Sequence, residues 1–136
     1  MGQTLNTVDP YFNALKTGVV EIQSGESLSS PIWIGNWALT AIRMPSSWTA
    51  APITFQAATY IDQNIPIGFG PDSDWLDIHD AQGDESACFV GPAMHVALWH
   101  IGLRGNLYIR IRSGFAASPV AQGDLRKITL VFGGVS

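Results

Sequence analysis

The chain has 136 residues, a formal charge of −4, and 13% charged against 46% apolar side chains. That length fits one domain that buries roughly two thirds of its unfolded surface, so neither metal nor disulfide is needed to supply a core. The apolar fraction argues against disorder, the lack of a basic run argues against nucleic acid as a partner, and the single cysteine, Cys88, excludes an internal disulfide framework.

Residues 1–17 read as an N-terminal arm, in which Asp9-Pro10 gives a turn or extended signal and Tyr11, Phe12 and Leu15 are apolar enough to anchor a short helical turn. The opening residues lack a signal-peptide pattern, and Asn6 stands where a myristoylation signal wants Ser or Thr. No apolar run approaches the roughly 18 residues of a membrane span, so no membrane association is expected.

Residues 18–136 read as one β domain. Strands are expected at 19–23, closed by Ser24-Gly25, and at 28–34, where Pro31 demands an edge or a strand start. The run 37–44 alternates Trp37, Leu39, Ala41 and Arg43 against Ala38, Thr40, Ile42 and Met44. The run 53–60 alternates Ile53, Phe55, Ala57 and Thr59 against Thr54, Gln56, Ala58 and Tyr60. A loop-rich middle, 61–86, holds a short strand at 75–79, and further strands are expected at 88–92 and at 94–101, where one helical turn is the alternative. The clearest period of two lies at 107–112, with Leu107, Ile109 and Ile111 inward and Tyr108, Arg110 and Arg112 outward. The run 127–132 is the last strand. About eight or nine short strands at this spacing predict an all-β, antiparallel two-sheet β-sandwich with an N-terminal arm, and a jelly-roll-like order is the topology expected.

The candidates for chemistry each have a structural alternative. Asp72, Asp74, Asp77, Asp80, Asp84 and Glu85 cluster beside His79, a donor set that suits a hard cation, but the spacing is not that of an EF-hand loop. The other reading is a solvated acidic loop that faces the arginines. His95 and His100 are five positions apart, a spacing that chelates on neither a strand nor a helix. Tyr108, Arg110 and Arg112 share a face that could bind a glycan or anion, or the arginines could pair with acids of the same chain. Cys88 reads as a small buried hydrophobe. There is no Gly-x-Ser-x-Gly elbow, and Gly68-Phe69-Gly70 lacks the third glycine of a dinucleotide loop. No enzymatic activity, cofactor or metal site is expected.

Several stretches together resemble a known group: Glu21-Ile22-Gln23-Ser24-Gly25-Glu26-Ser27-Leu28-Ser29, then Ile42-Arg43-Met44-Pro45-Ser46-Ser47-Trp48-Thr49-Ala50-Ala51-Pro52-Ile53-Thr54-Phe55-Gln56, then Leu107-Tyr108-Ile109-Arg110-Ile111-Arg112-Ser113-Gly114, and Pro119-Val120-Ala121-Gln122-Gly123-Asp124-Leu125-Arg126-Lys127-Ile128-Thr129-Leu130-Val131. They resemble the small β-sandwich virion structural proteins of tailed bacteriophages and prophages, of the head decoration (cement) or fibre-base type. The likeness covers most of the chain from about residue 19 and is weakest over 61–105. It implies a capsid decoration protein that stabilises the head, or the base of a head fibre or spike. It further implies a homo-oligomer, a trimer matching the local three-fold positions of an icosahedral shell, with the major capsid protein or another virion protein as partner. Such a protein would assemble into the particle in the host bacterial cytoplasm. On that reading Tyr11, Phe12, Leu15, Trp48, Phe69 and Trp75 are the expected capsid or subunit contacts. The alternative is a carbohydrate-binding module of a tail or spike that uses Tyr108, Arg110, Arg112 and a tryptophan.

Overall fold

Two antiparallel sheets face each other across one apolar core. The computed structural model describes residues 15–35, 37–58, 75–98, 101–104 and 108–134. The strands are β1 (Leu15–Ile22), β2 (Ile32–Trp33), β3 (Trp37–Arg43), β4 (Ile53–Ala58), β5 (Leu76–Asp77), β6 (Ala87–Cys88), β7 (His95–Ala97), β8 (Tyr108–Phe115), β9 (Ser118–Pro119) and β10 (Arg126–Gly134). The first sheet runs β1-β10-β3-β7. The second runs β2-β8-β4-β5, with β6 also on β4 and β9 on β8. The chain is thus an all-β sandwich, as its alternations predict.

The period of two explains the core. Ile109 and Ile111 of β8, Ile53 and Phe55 of β4, and Ile128, Leu130 and Phe132 of β10 are all fully buried in one cluster. Each such side chain contributes roughly 1.5–3 kcal/mol by leaving water. Leu107 lies outside the described residues.

The structure departs from the expected pattern in β3. Ala41 pairs with Val131 and Leu39 with Phe132, so Thr40 is an extra residue opposite none. Its hydroxyl donates to the Val131 carbonyl at 3.0 Å. This bulge reverses the phase of the strand. Leu39 faces the core before it, and Ile42 and Met44 face the core after it, whereas the unbroken alternation had put Leu39 opposite Ile42 and Met44.

β1 begins at Leu15, ahead of the expected start of the body, and pairs with β10 along its whole length. Leu15 therefore belongs to a strand rather than to an arm. Residues 1–14, with Tyr11 and Phe12, lie outside the described residues. On the inward side of β1, a Cβ on Gly18 would sit 2.6 Å from Ile32 Cδ1, so the absence of a side chain lets the edges of the two sheets converge there. Pro31 directly precedes β2, an edge strand, as its missing N–H requires.

At one end of the sandwich Gln122, 1% exposed, ties several segments together. Its Nε2 donates to the Thr49 carbonyl at 3.0 Å and to Ser113 Oγ at 2.7 Å. Its Oε1 accepts from Thr49 N at 2.9 Å and Arg126 Nε at 3.1 Å. Its backbone donates to the Glu26 carbonyl and accepts from Gly25 N. Segments around Gly25, Thr49 and Ser113 thus meet at this residue.

Candidate functional site

The outer face of the second sheet gathers most of the chemistry-bearing side chains, and strand register arranges them in three rows. Trp33, Tyr108 and Ala58 are cross-strand neighbours, as are Arg110, Gln56 and Asp77, and then Arg112, Thr54 and Ala87. Alternation on β8 and β4 puts these side chains on the side opposite Ile109, Ile111, Ile53 and Phe55.

In the first row the Trp33 and Tyr108 rings lie 4.4 Å apart between centroids, tilted by 47°. Tyr108 packs onto a small second cluster of Ala58 and Trp75. In the middle row Arg110 Nε donates to Gln56 Oε1 at 2.7 Å, and Gln56 Nε2 donates to Asp77 Oδ1 at 3.0 Å. The Arg110 guanidinium also lies 4.5 Å from the centre of the Trp75 ring, a cation–π contact.

The third row is closed to solvent. Arg112 lies on the expected face but is only 6% exposed. It donates to Asp77 Oδ1 at 2.6 Å and to Glu85 Oε2 at 2.9 Å, with a longer bond of 3.4 Å to Thr54 Oγ1. Burial alone would raise the Asp77 pKa. Hydrogen bonds from Arg112 and Gln56, with the charges of Arg112 and His79, outweigh that and hold it below its ordinary value. Arg112 is therefore engaged by both acids at once. Of the acidic cluster, Asp72 and Asp74 lie outside the described residues. Asp80 instead shapes a turn by accepting from Gln82 N and Asp84 N.

The expected contact residues are scattered. Trp75 is 4% exposed and stacks on Arg110, so it is a covering group rather than a free loop aromatic. Trp48 packs against the core, and its Nε1 donates to the Ala51 carbonyl at 3.0 Å. Phe69 lies outside the described residues. The structure does bring Tyr108, Arg110, Arg112 and Trp75 together. It adds Trp33, Gln56, Asp77 and Glu85, of which Gln56 was legible from the alternation of β4.

Elsewhere, Cys88 is buried in the main cluster and desolvation pushes its thiol up to about 12, so it stays protonated at neutral pH. His95 is exposed beside Arg43 at the rim of a shallow cleft of about 430 Å³. His100 lies outside the described residues. Among the described residues no buried side-chain nitrogen or oxygen lacks a partner, and no three His, Cys, Asp or Glu side chains group as metal ligands. No helix among them is long and apolar enough to cross a membrane.

No family model matches the chain, and no curated protein or solved structure matches it either.

Proposed function

We propose that this is a structural protein of a tailed-phage virion, a capsid decoration protein or the base of a head fibre, which acts by burying surface against capsid subunits. The observation that carries the reading is the outer face of the first sheet. Because Ile128, Leu130 and Phe132 point inward, their neighbours Thr129 and Val131 point out, in rows with Thr17, Ala41 and Ala97, and with Val19, Arg43 and His95. Thr40 and Ala38 continue this surface. It is built of small, mostly uncharged side chains, with charge at Arg43, His95, Glu21 and Lys127 and, beside Ala38, at Arg104. Depletion of charge marks the centre of a protein interface. The sheet order β1-β10-β3-β7 opposite β2-β8-β4-β5 fits jelly-roll connectivity, a fold used in capsid and lectin domains. Assembly as a homo-oligomer, trimeric at a three-fold position, with the major capsid protein as partner, completes the proposal.

The test adds purified protein to heads assembled from the capsid protein encoded in the same genome. Light scattering should show an oligomer, and the heads should survive higher temperature or chelator with it bound. A monomer that neither sediments with heads nor changes their tolerance refutes the reading.

A second reading has one specific support. Trp33 is 40% exposed and braced by Tyr108, a platform on which a sugar ring can stack. Arg112 takes no part in it, since both carboxylates already hold it. Loss of glycan-array binding in Trp33→Ala would favour this reading, and an array with no hits removes it.

A further inference from the structure

We propose that residues 76–88 form a flap, stapled over the edge of β4 by Arg112, that opens independently of the rest of the sandwich. This inference does not depend on the virion reading.

The register shows why the segment is separable. Asp77 and Leu76 pair with Gln56 and Ala57, while Ala87 and Cys88 pair with Thr54 and Ile53. β5 and β6 thus run in the same direction as two short pieces of one interrupted edge strand. Residues 79–86 leave the sheet between them and return.

That excursion holds its own shape. Asp80 N donates to the Asp84 carbonyl, Gly83 N to the Asp80 carbonyl, and Ser86 N to the Ile78 carbonyl. His79 and Glu85 form an isolated bridge. Beside the Arg112 clasp, its hold on the body rests on Ile78, whose N donates to the Phe55 carbonyl at 3.0 Å and whose half-buried side chain packs against the main core. Residues 79–84 are exposed, and Leu76 is 71% exposed. A cleft of about 320 Å³ lies against it, lined by Asp80, Glu85, Ala87, Phe89 and Phe115 among others. Local openings occur where apolar contacts are few.

Arg112 supplies the clasp. It reaches from β8 past Thr54 to Asp77, where the excursion departs, and to Glu85, where it returns. Glu85 also accepts from Ala116 N at 3.2 Å, which binds the return point to the β8–β9 turn. A charge as deeply buried as Arg112 keeps both acids engaged while the flap is shut. Opening would bare the backbone edge of β4, the kind of edge that accepts an antiparallel strand from another chain.

Cys88 reports the opening, because it is the sole cysteine, is 3% exposed, and sits in β6. The experiment follows maleimide labelling of Cys88 at neutral pH across low denaturant, in the wild type, Glu85→Gln and Asp77→Asn. Tryptophan fluorescence follows global unfolding in parallel. Labelling should show a shallower denaturant dependence than global unfolding, and Glu85→Gln should label at least tenfold faster while keeping its β circular dichroism. Labelling slopes equal to that of global unfolding, in wild type and variant alike, would overturn the proposal, because Cys88 would then emerge only when the whole domain unfolds. If the variants do not fold, hydrogen exchange on the wild type decides. The Ile78 and Ser86 amides should exchange at least tenfold faster than those of Ile111 and Ser113, and equal protection overturns the flap.

Discussion

Replacing Gln122 with alanine removes four side-chain hydrogen bonds at once, two to Thr49, one to Ser113 and one to Arg126. The cost differs between partners. Ser113 is fully buried, so its hydroxyl cannot turn to bulk water. The Thr49 amide and carbonyl are half-buried, and Arg126 is half-buried on a long side chain that can swing outward. An orphaned buried group costs about 1–3 kcal/mol. Counting Ser113 and the Thr49 amide in the middle of that range, and little for the other two, gives about 3–4 kcal/mol. For a chain of this size each kcal/mol moves the melting temperature by about 3–5 °C. Gln122→Ala should therefore melt roughly 10–15 °C below the wild type in a circular dichroism scan. A drop under about 3 °C would refute the reasoning, because it would mean that water entering the vacated space fully replaces the amide.

Two glycines separate backbone strain from steric exclusion. Gly114 has φ +93° and its Cβ would meet Ser118 O at 2.6 Å and Val120 N at 2.8 Å, whereas Gly25 has φ +83° with nothing within 4 Å. Gly25→Ala should cost about 1–2 kcal/mol in urea unfolding and Gly114→Ala clearly more, or fail to fold; equal costs would contradict this. Asp77 sets a pH dependence. Its pKa is lowered in the folded state, so its contribution is full above the unfolded value and is lost as pH falls through the folded one. Melting temperature should fall below about pH 4 in the wild type, and Asp77→Asn should flatten that acid limb. Deleting the extra residue Thr40 would remove the bulge and leave Leu39, Ile42 and Met44 all inward in unbroken alternation, so the variant should keep its β circular dichroism; a largely unfolded variant would contradict the register.

Which parts of the structure were legible follows from the range of the forces involved. β4, β8 and β10 are long, regular and half-buried, so their alternation is written locally, and Ile53, Phe55, Ile109 and Ile111 sit where it puts them. The bulge at Thr40 was hidden because a bulge is a property of register between β3 and β10, and no local signal marks it. The first residues of β1 were read as arm because inward-side Lys16 and Gly18 break the apolar pattern, although Lys16 Nζ lies 5.4 Å from the centre of the Trp37 ring. Alternation assigned Arg112 to the outer face correctly but could not say what covers that face. The cover comes from Asp77 and Glu85, 35 and 27 residues away in sequence. Gln122 left no signal in a Gly-containing loop, since its side-chain partner Thr49 lies 73 residues distant.

The proposed adhesion through the outer face of the first sheet is tested most directly by co-sedimentation with heads assembled from the capsid protein encoded in the same genome, comparing wild type with Val131→Glu and Thr129→Glu. The account expects saturable binding by the wild type and at least a tenfold loss in the variants, with melting temperatures within a few degrees of the parent. Unchanged binding by folded variants would contradict it.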